Sequence, residues 1–492
     1  MSASPSPRTA SAPDGAAARR FDLERHDALI AFVQTRAGRC CLLLAALAAV
    51  APHFGGIAAL AAVAGAMAAA AWPARRGAIL FGLTWISALL NTSLGEVDTA
   101  DNIRAVLQQE QIAPSMGTML SLGFLCLLFA VMLSMLRHVQ KRPQSLLARR
   151  PLLTLLSVQA LLCAVGSFGL LNGWPRALLW SAVFVFAPYL WFLPFAIADL
   201  RSRAPSPLAM QMATLRPFWS PSYLPFGKGA AFLRKHLSLT PMELTVTQIK
   251  GLKLLIWANL LFILRDVLMR VFADGAGIPD PHDAIDALLA GHAYPAVIGW
   301  AALVLATATY ALQVAAWADL FIGIARLAGY RLPRGSWRPL EARTLMDYFN
   351  RFHYYFKELL VDLFFMPTFF RMFRAHPRLR MFFATFMAAG VGNAVWHFSR
   401  NLLEVAVAGP ANAFASYTSY LFYALVLAIG VGLSQVRANR GMRPSSSFTG
   451  RLGSFVFVWS FIVCIHIFGD GTRVHTLGQR FKFMASLFGV TV

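Results

Sequence analysis

Two histidines in this 492-residue chain stand where an imidazole could do chemistry. His397 lies in GVGNAVWHFSRN, residues 390–401, inside an apolar run. His353 lies among Tyr348, Phe349, Phe352, Tyr354, Tyr355 and Phe356, in a stretch with basic residues at both ends. Imidazole has an ordinary pKa near 6.5, so at neutral pH it can take the proton of an attacking hydroxyl, an effect of about 10²–10⁴-fold. Transfer of an acyl group from a thioester to a hydroxyl needs such a base, and it needs donors for the oxygen anion of the tetrahedral intermediate. Asn393, Arg400 and Asn401 are the polar neighbours that could donate. Ionisable groups at membrane depth are rare and tend to be functional. The bland alternative for His397 is an interhelical hydrogen bond, and for His353 a place in an interfacial aromatic belt.

The remaining charged residues divide less sharply. Asp362 follows His353 by nine positions, about two and a half helical turns, so on one continuous helix the two point in opposite directions. Arg338, Arg343 and Arg351 could attract the phosphates of coenzyme A, and a plain basic loop explains them equally well. Arg265 and Asp266 read as a structural pair, and His466 and Asp470 as interfacial residues on one helix face. All five cysteines sit in apolar runs without zinc-site spacing, so no metal centre is expected.

The elements that must hold these residues follow from composition. Hydrophobic residues make up 58% and charged residues 13%, against roughly 45–50% and about 25% in soluble domains. Lipid must therefore be the solvent for much of the chain. The net charge of +22 sits in short Arg and Lys clusters between apolar runs, as in cytoplasmic loops, and no nucleic-acid motif accompanies it. At about 20 residues per span, hydropathy predicts roughly ten to twelve transmembrane helices in an all-α polytopic membrane protein, with re-entrant or interfacial helices around a mid-membrane funnel.

The expected order begins with a disordered cytoplasmic tail over residues 1–36, without a secretory signal, and N-terminal spans over 37–198. Residues 40–72 should form a helical hairpin or one kinked span. A basic segment, 199–250, should lie as amphipathic helices on the cytoplasmic face. A core over 251–470 and a tail over 471–492 complete the chain. Loop 137–150 is basic without acids and loop 273–292 acidic without bases, which orients the N-terminus toward the cytoplasm.

Residues 319–367 resemble the membrane-bound O-acyltransferases, in particular the bacterial branch of alginate O-acetylation and teichoic-acid D-alanylation proteins. Asp319, Gly323, Arg326, Gly329, Arg351, His353, Asp362 and Pro367 match that branch's pattern, whereas Asn350, Phe352 and Val361 depart from it. Trp396 and His397 match its late Trp-His pair, with Phe398 in place of the usual glycine. The two histidines are 44 positions apart, near the family's separation. The resemblance covers roughly 150–200 residues and implies catalytic roles for His397 and His353. It implies substrate contacts for Trp396, Asn393, Arg351, Asp362, Asp319 and Arg400.

It further implies an acyl-CoA or acyl carrier protein donor, no bound cofactor, and a hydroxyl acceptor that is a glycan, a lipid or a secondary metabolite. An extracytoplasmic partner acyltransferase and a bacterial plasma membrane belong to the same expectation, in which a short acyl group moves outward onto polysaccharide or its carrier. The alternatives are a transporter or flippase whose buried charges line a pathway, and a catalytically silent scaffold with the same fold.

Overall fold

The computed structural model describes residues 23–89, 99–220, 223–442, 444–445, 447–469 and 474–490. Among the described residues every regular element is a helix, and the β contact is an isolated bridge between Leu237 and Tyr330. The tail up to residue 22 and Asp470, for which expectations were stated, lie outside the described residues.

Among the described residues five helical stretches are long and apolar enough to cross a membrane, beginning with α1 (Arg36–Phe54) and the stretch Pro114–Lys141. The count reaches seven if the bent pairs Gly56–Ala71 with Pro73–Leu89 and Trp174–Trp191 with Leu193–Leu200 are each one span. The chain is thus an all-α, polytopic membrane protein. The shortfall against ten to twelve spans has physical causes. Pro151–Ser167 is apolar but too short. The region 381–408 is cut by a π-helical turn, Met387–Gly392, and by a break at residues 399–401. The helix Pro241–Leu268 includes Lys250, Lys253, Arg265 and Asp266.

The first apolar run is a hairpin and not a single kinked span. Gly55, at φ 75°, separates α1 from α2 (Gly56–Ala71), and the two helices pack on each other. A positive φ is a conformation that glycine adopts without a steric cost.

The central framework is a pair of long helices, α3 (Pro241–Leu268) and α4 (Ala296–Leu327), which pack along much of their length. Their approach depends on two glycines. A Cβ on Gly251 would come within 2.9 Å of the Gly323 carbonyl oxygen, and one on Gly323 within 2.6 Å of Leu255 Cδ2. Small residues let helix backbones draw close where lipid offers no hydrophobic drive. Arg265 pairs with its neighbour Asp266 at 2.9 Å, the structural pairing expected.

Residues 199–250 depart most from expectation. In place of surface helices the described residues before α3, which begins at Pro241, are mostly loop, with short helices at Leu208–Ala213 and Ala230–Lys235. Phe218, Trp219 and Phe226 are buried, Trp219 completely. Pro217 before these rings, Pro225 between them and Gly227 just after them disfavour a continuous helix, and the rings sink into the core instead. Phe226 packs on Phe321 at 5.3 Å and on Tyr355 at 5.0 Å.

The expected C-terminal tail is a packed helix over Leu477–Ser486, started by a capping box of Thr476 and Gln479. Trp300 Nε1 donates to the Leu487 carbonyl at 3.1 Å and ties this end to the start of α4.

The glycine contact yields a prediction. Gly251→Leu should force α3 and α4 apart and cost about 1–3 kcal/mol, the usual penalty of overpacking. A thermal melt in detergent should show a clear drop, and an unchanged melting temperature would mean that the approach is not tight.

Candidate functional site

The first histidine motif forms a bent element. Thr344 caps the helix Leu345–Arg351 by accepting from the Asp347 amide, and the chain then turns sharply at His353. His353 has φ 58° and ψ 41°, a left-handed conformation, and it precedes α5 (Tyr354–Leu360). That helix loosens into a π-helical turn, Val361–Phe365, which includes Asp362. The second motif repeats the device: the π-helical turn Met387–Gly392 runs into α6 (Asn393–Phe398), which holds Trp396 and His397. Turns of this kind are uncommon and gather at functional sites.

The two π-helical turns pack against each other, with the Phe364 ring on the backbone of Gly392. A Cβ on Gly392 would lie 2.6 Å from that ring, so a larger residue would hold the motifs apart. One turn from His353, the Phe356 ring meets Trp396 at 4.7 Å and His397 at 5.8 Å, the latter edge-on. His353 is 6.5 Å from the same Phe356 ring. Both histidines therefore border a single aromatic side chain, although they come from separate parts of the sequence.

Around His397 the walls are aromatic and hydroxylic. Its ring lies 4.5 Å from Tyr420 and 4.7 Å from Trp396. Tyr420 donates to Asn393 Oδ1 at 3.1 Å, so this buried asparagine is oriented by the helix Thr418–Asn439. Just before that helix, the Tyr417 hydroxyl donates to the Ala394 carbonyl at 2.6 Å. Trp191 Nε1 donates to Ser399 Oγ, which in turn donates to the Trp396 carbonyl at 2.8 Å, fixing the far end of α6. Arg400 lies with its guanidinium carbon 4.8 Å from the Trp396 ring centre and 5.6 Å from that of Tyr223.

The other expected site residues fall elsewhere. Asp319 is buried within α4, its Oδ1 without a hydrogen-bond partner among the described residues, and no described contact joins it to either histidine. Arg351 binds Asp347 at 2.8 Å and Glu341 at 3.5 Å, so its charge is already balanced. Arg338 likewise pairs with Glu341 at 3.1 Å. Asp362 does not orient His353. It binds Lys228, whose Nζ is 2.6 Å from Asp362 Oδ2 and 2.9 Å from Glu358 Oε2.

Lys228 was not expected in the site. It sits at φ 46° between Gly227 and Gly229, both also at positive φ, in a loop that turns its side chain toward the π-helical turn. Burial pushes the Lys228 ammonium down, but Asp362 and Glu358 more than offset this and hold it above its ordinary value. Burial also raises Glu358, yet Lys357 and Lys228 together hold that carboxyl below the usual range. At Asp362 burial prevails over Lys228, and the carboxyl lies above its usual range. His353 is half-buried, and its burial pushes the imidazole down to about 4.

Tyr420, Tyr417 and Tyr223 also escaped the sequence reading, and Phe356 was read there only as part of the aromatic stretch around His353. The spacing of Tyr417, Tyr420 and Tyr423 along one helical face was the available signal. Among the described residues no group of three or more metal-ligating side chains could hold an ion. No protein-family model matches the chain, and no curated protein matches it.

The lysine bridge and the buried histidine each lead to an expected outcome. Lys228→Met would leave Glu358 and Asp362 together without their shared cation, and should cost about 2 kcal/mol in an unfolding titration. Adding Asp362→Asn should recover part of that loss, whereas additive costs would argue against coupling. The His353 imidazole lies lower in the folded chain than its ordinary value of about 6.5. As pH falls from about 6.5 toward 4, the unfolded chain binds a proton that the folded chain refuses, so stability declines across that window. His353→Asn should flatten this part of the pH–stability curve, and an unaltered slope would assign it to another group.

Proposed function

We propose that this chain is a membrane-bound O-acyltransferase. It moves a short acyl group, acetyl in the simplest case, from an acyl-CoA or acyl carrier protein in the cytoplasm to a hydroxyl acceptor. The acceptor is an extracytoplasmic polysaccharide or its carrier, and the membrane is a bacterial plasma membrane. The observation that supports this reading is the meeting of the two histidine motifs on the Phe356 ring.

In this mechanism His397 takes the proton of the acceptor hydroxyl as its oxygen attacks the thioester carbonyl carbon. A carbon–oxygen bond forms, and the tetrahedral intermediate bears an oxygen anion. Collapse breaks the carbon–sulfur bond, and the leaving thiolate receives the proton from the His397 imidazolium. The products are an ester and a free thiol, and the base is regenerated. Positioning accounts for the surrounding residues. Trp396, Phe356 and Tyr420 fix the imidazole plane through ring contacts at 4.7, 5.8 and 4.5 Å. His353, neutral at physiological pH because burial lowers it to about 4, can accept or donate a hydrogen bond to substrate but does not supply a resident positive charge.

The test uses purified full-length protein in lipid nanodiscs with radiolabelled acetyl-CoA and a panel of polysaccharide and lipid acceptors. Wild type should label an acceptor, and His397→Ala should lower the rate by about 10²–10⁴-fold without lowering the melting temperature. Labelling by His397→Ala at the wild-type rate would remove the proposed base. Transport of an acceptor across proteoliposomes, without label transfer, would favour the transporter reading.

A further inference from the structure

The helical stretch Pro114–Lys141 carries no residue of the histidine site, yet its second half borders a groove of its own. The groove measures about 470 Å³, within the usual range of ligand sites. One half is apolar, lined by Phe129, Ala130 and Leu133, and the other is cationic, lined by Arg137, His138 and Lys141. Ser134 lies between the halves. Phe129 packs edge-on against Trp85 at 5.1 Å and Phe81 at 5.7 Å, so the helix Arg76–Leu89 fixes the apolar floor. Arg137, His138 and Lys141 are exposed, and residues 137–150 contain no acid. Among the described residues no carboxylate pairs with Arg137 or Lys141.

The length of the stretch sets the depth of the groove. Its 28 residues rise about 42 Å, against roughly 30 Å of hydrocarbon. Charged side chains are costly within hydrocarbon, so the surplus belongs at the end that holds Arg137, His138 and Lys141. Those groups then stand at the level of lipid phosphates, and Phe129 lies about 12 Å deeper, among the acyl chains. A phospholipid has the same two parts in the same order. A free phosphate has nothing to place on the apolar half. Arg149 and Arg150, exposed in the same basic segment, line no part of the groove.

We propose that this groove holds an anionic phospholipid, with its phosphodiester between Arg137 and Lys141 and one acyl chain along Phe129 and Leu133. Arg137 and Lys141 are one helical turn apart and share a face, so both can bind one phosphate. Basic pockets beside membrane helices take anionic headgroups in this way. A zwitterionic headgroup brings an ammonium to the same three cations and is disfavoured. The groove shares no residue with the histidine site, so the inference is independent of the acyl-transfer reading.

The experiment titrates the full-length protein in detergent with phosphatidylglycerol or phosphatidylcholine of identical acyl chains, and native mass spectrometry counts the bound lipid. Wild type should hold phosphatidylglycerol at least about tenfold more tightly. Each charge removed from the groove should weaken that preference about fivefold, so Arg137→Gln with Lys141→Gln should erase it. The exchange Arg137→Lys with Lys141→Arg keeps both charges and should preserve it. Arg149→Gln with Arg150→Gln removes the same charge outside the groove and should leave the preference intact. Equal loss in that control would replace the site with general attraction and overturn the proposal. Equal binding of the two lipids by wild type would overturn it as well. Glycerol 3-phosphate, which has the phosphate without the chains, should not displace the lipid; displacement at matched concentration would reassign the groove to soluble phosphates. The reading is a ratio between two lipids on one protein, so a variant that folds poorly loses both and does not imitate the expected result.

Discussion

The candidate site depends on one close approach, the Phe364 ring resting on the backbone of Gly392. Two π-helical turns meet there, each interrupting a helix just where its motif begins or ends. A regular helix repeats every 3.6 residues and presents a fixed face; an added residue in a turn re-aims the side chains beyond it. In this protein the two interruptions bring Phe356 between the histidines. Without the missing side chain at Gly392, the second motif would stand away from the first.

A second constraint is electrostatic. Lys228 reaches in from a loop far away in sequence and bridges two carboxylates on the element that comes after His353. Lys228 therefore fastens the buried 199–250 segment to the site, and the aromatic contacts of Phe226 do the same from the apolar side. Charge and packing act on one loop together. The loop becomes part of the wall around the site, and its Tyr223 is placed to face Arg400.

How much of this was legible beforehand depends on what each signal measures. Composition and hydropathy reported the solvent, and the all-α membrane class followed directly. Hydropathy overcounted the spans because an apolar window does not register a π-helical turn or a short helix, as at 381–408 and Pro151–Ser167. The basic count of residues 199–250 pointed to a surface, but the buried rings of Phe218, Trp219 and Phe226 decided the outcome. His397, Trp396 and Asn393 were readable as neighbours because they share one helix. Lys228 and Tyr420 were not, since their roles arise from contacts between elements distant in sequence. The partner of Asp362 was not readable for a related reason: it is a lysine outside its own segment.

The left-handed turn at His353 has a consequence for how such a site can change over time. A side chain with a Cβ is held at φ 58° there, at a cost of roughly 1 kcal/mol or more that glycine would avoid. Drift toward a sturdier fold therefore runs through glycine or asparagine at this position, and it removes the imidazole in the same step. Persistence of histidine here would mean that selection favours the ring over the easier backbone.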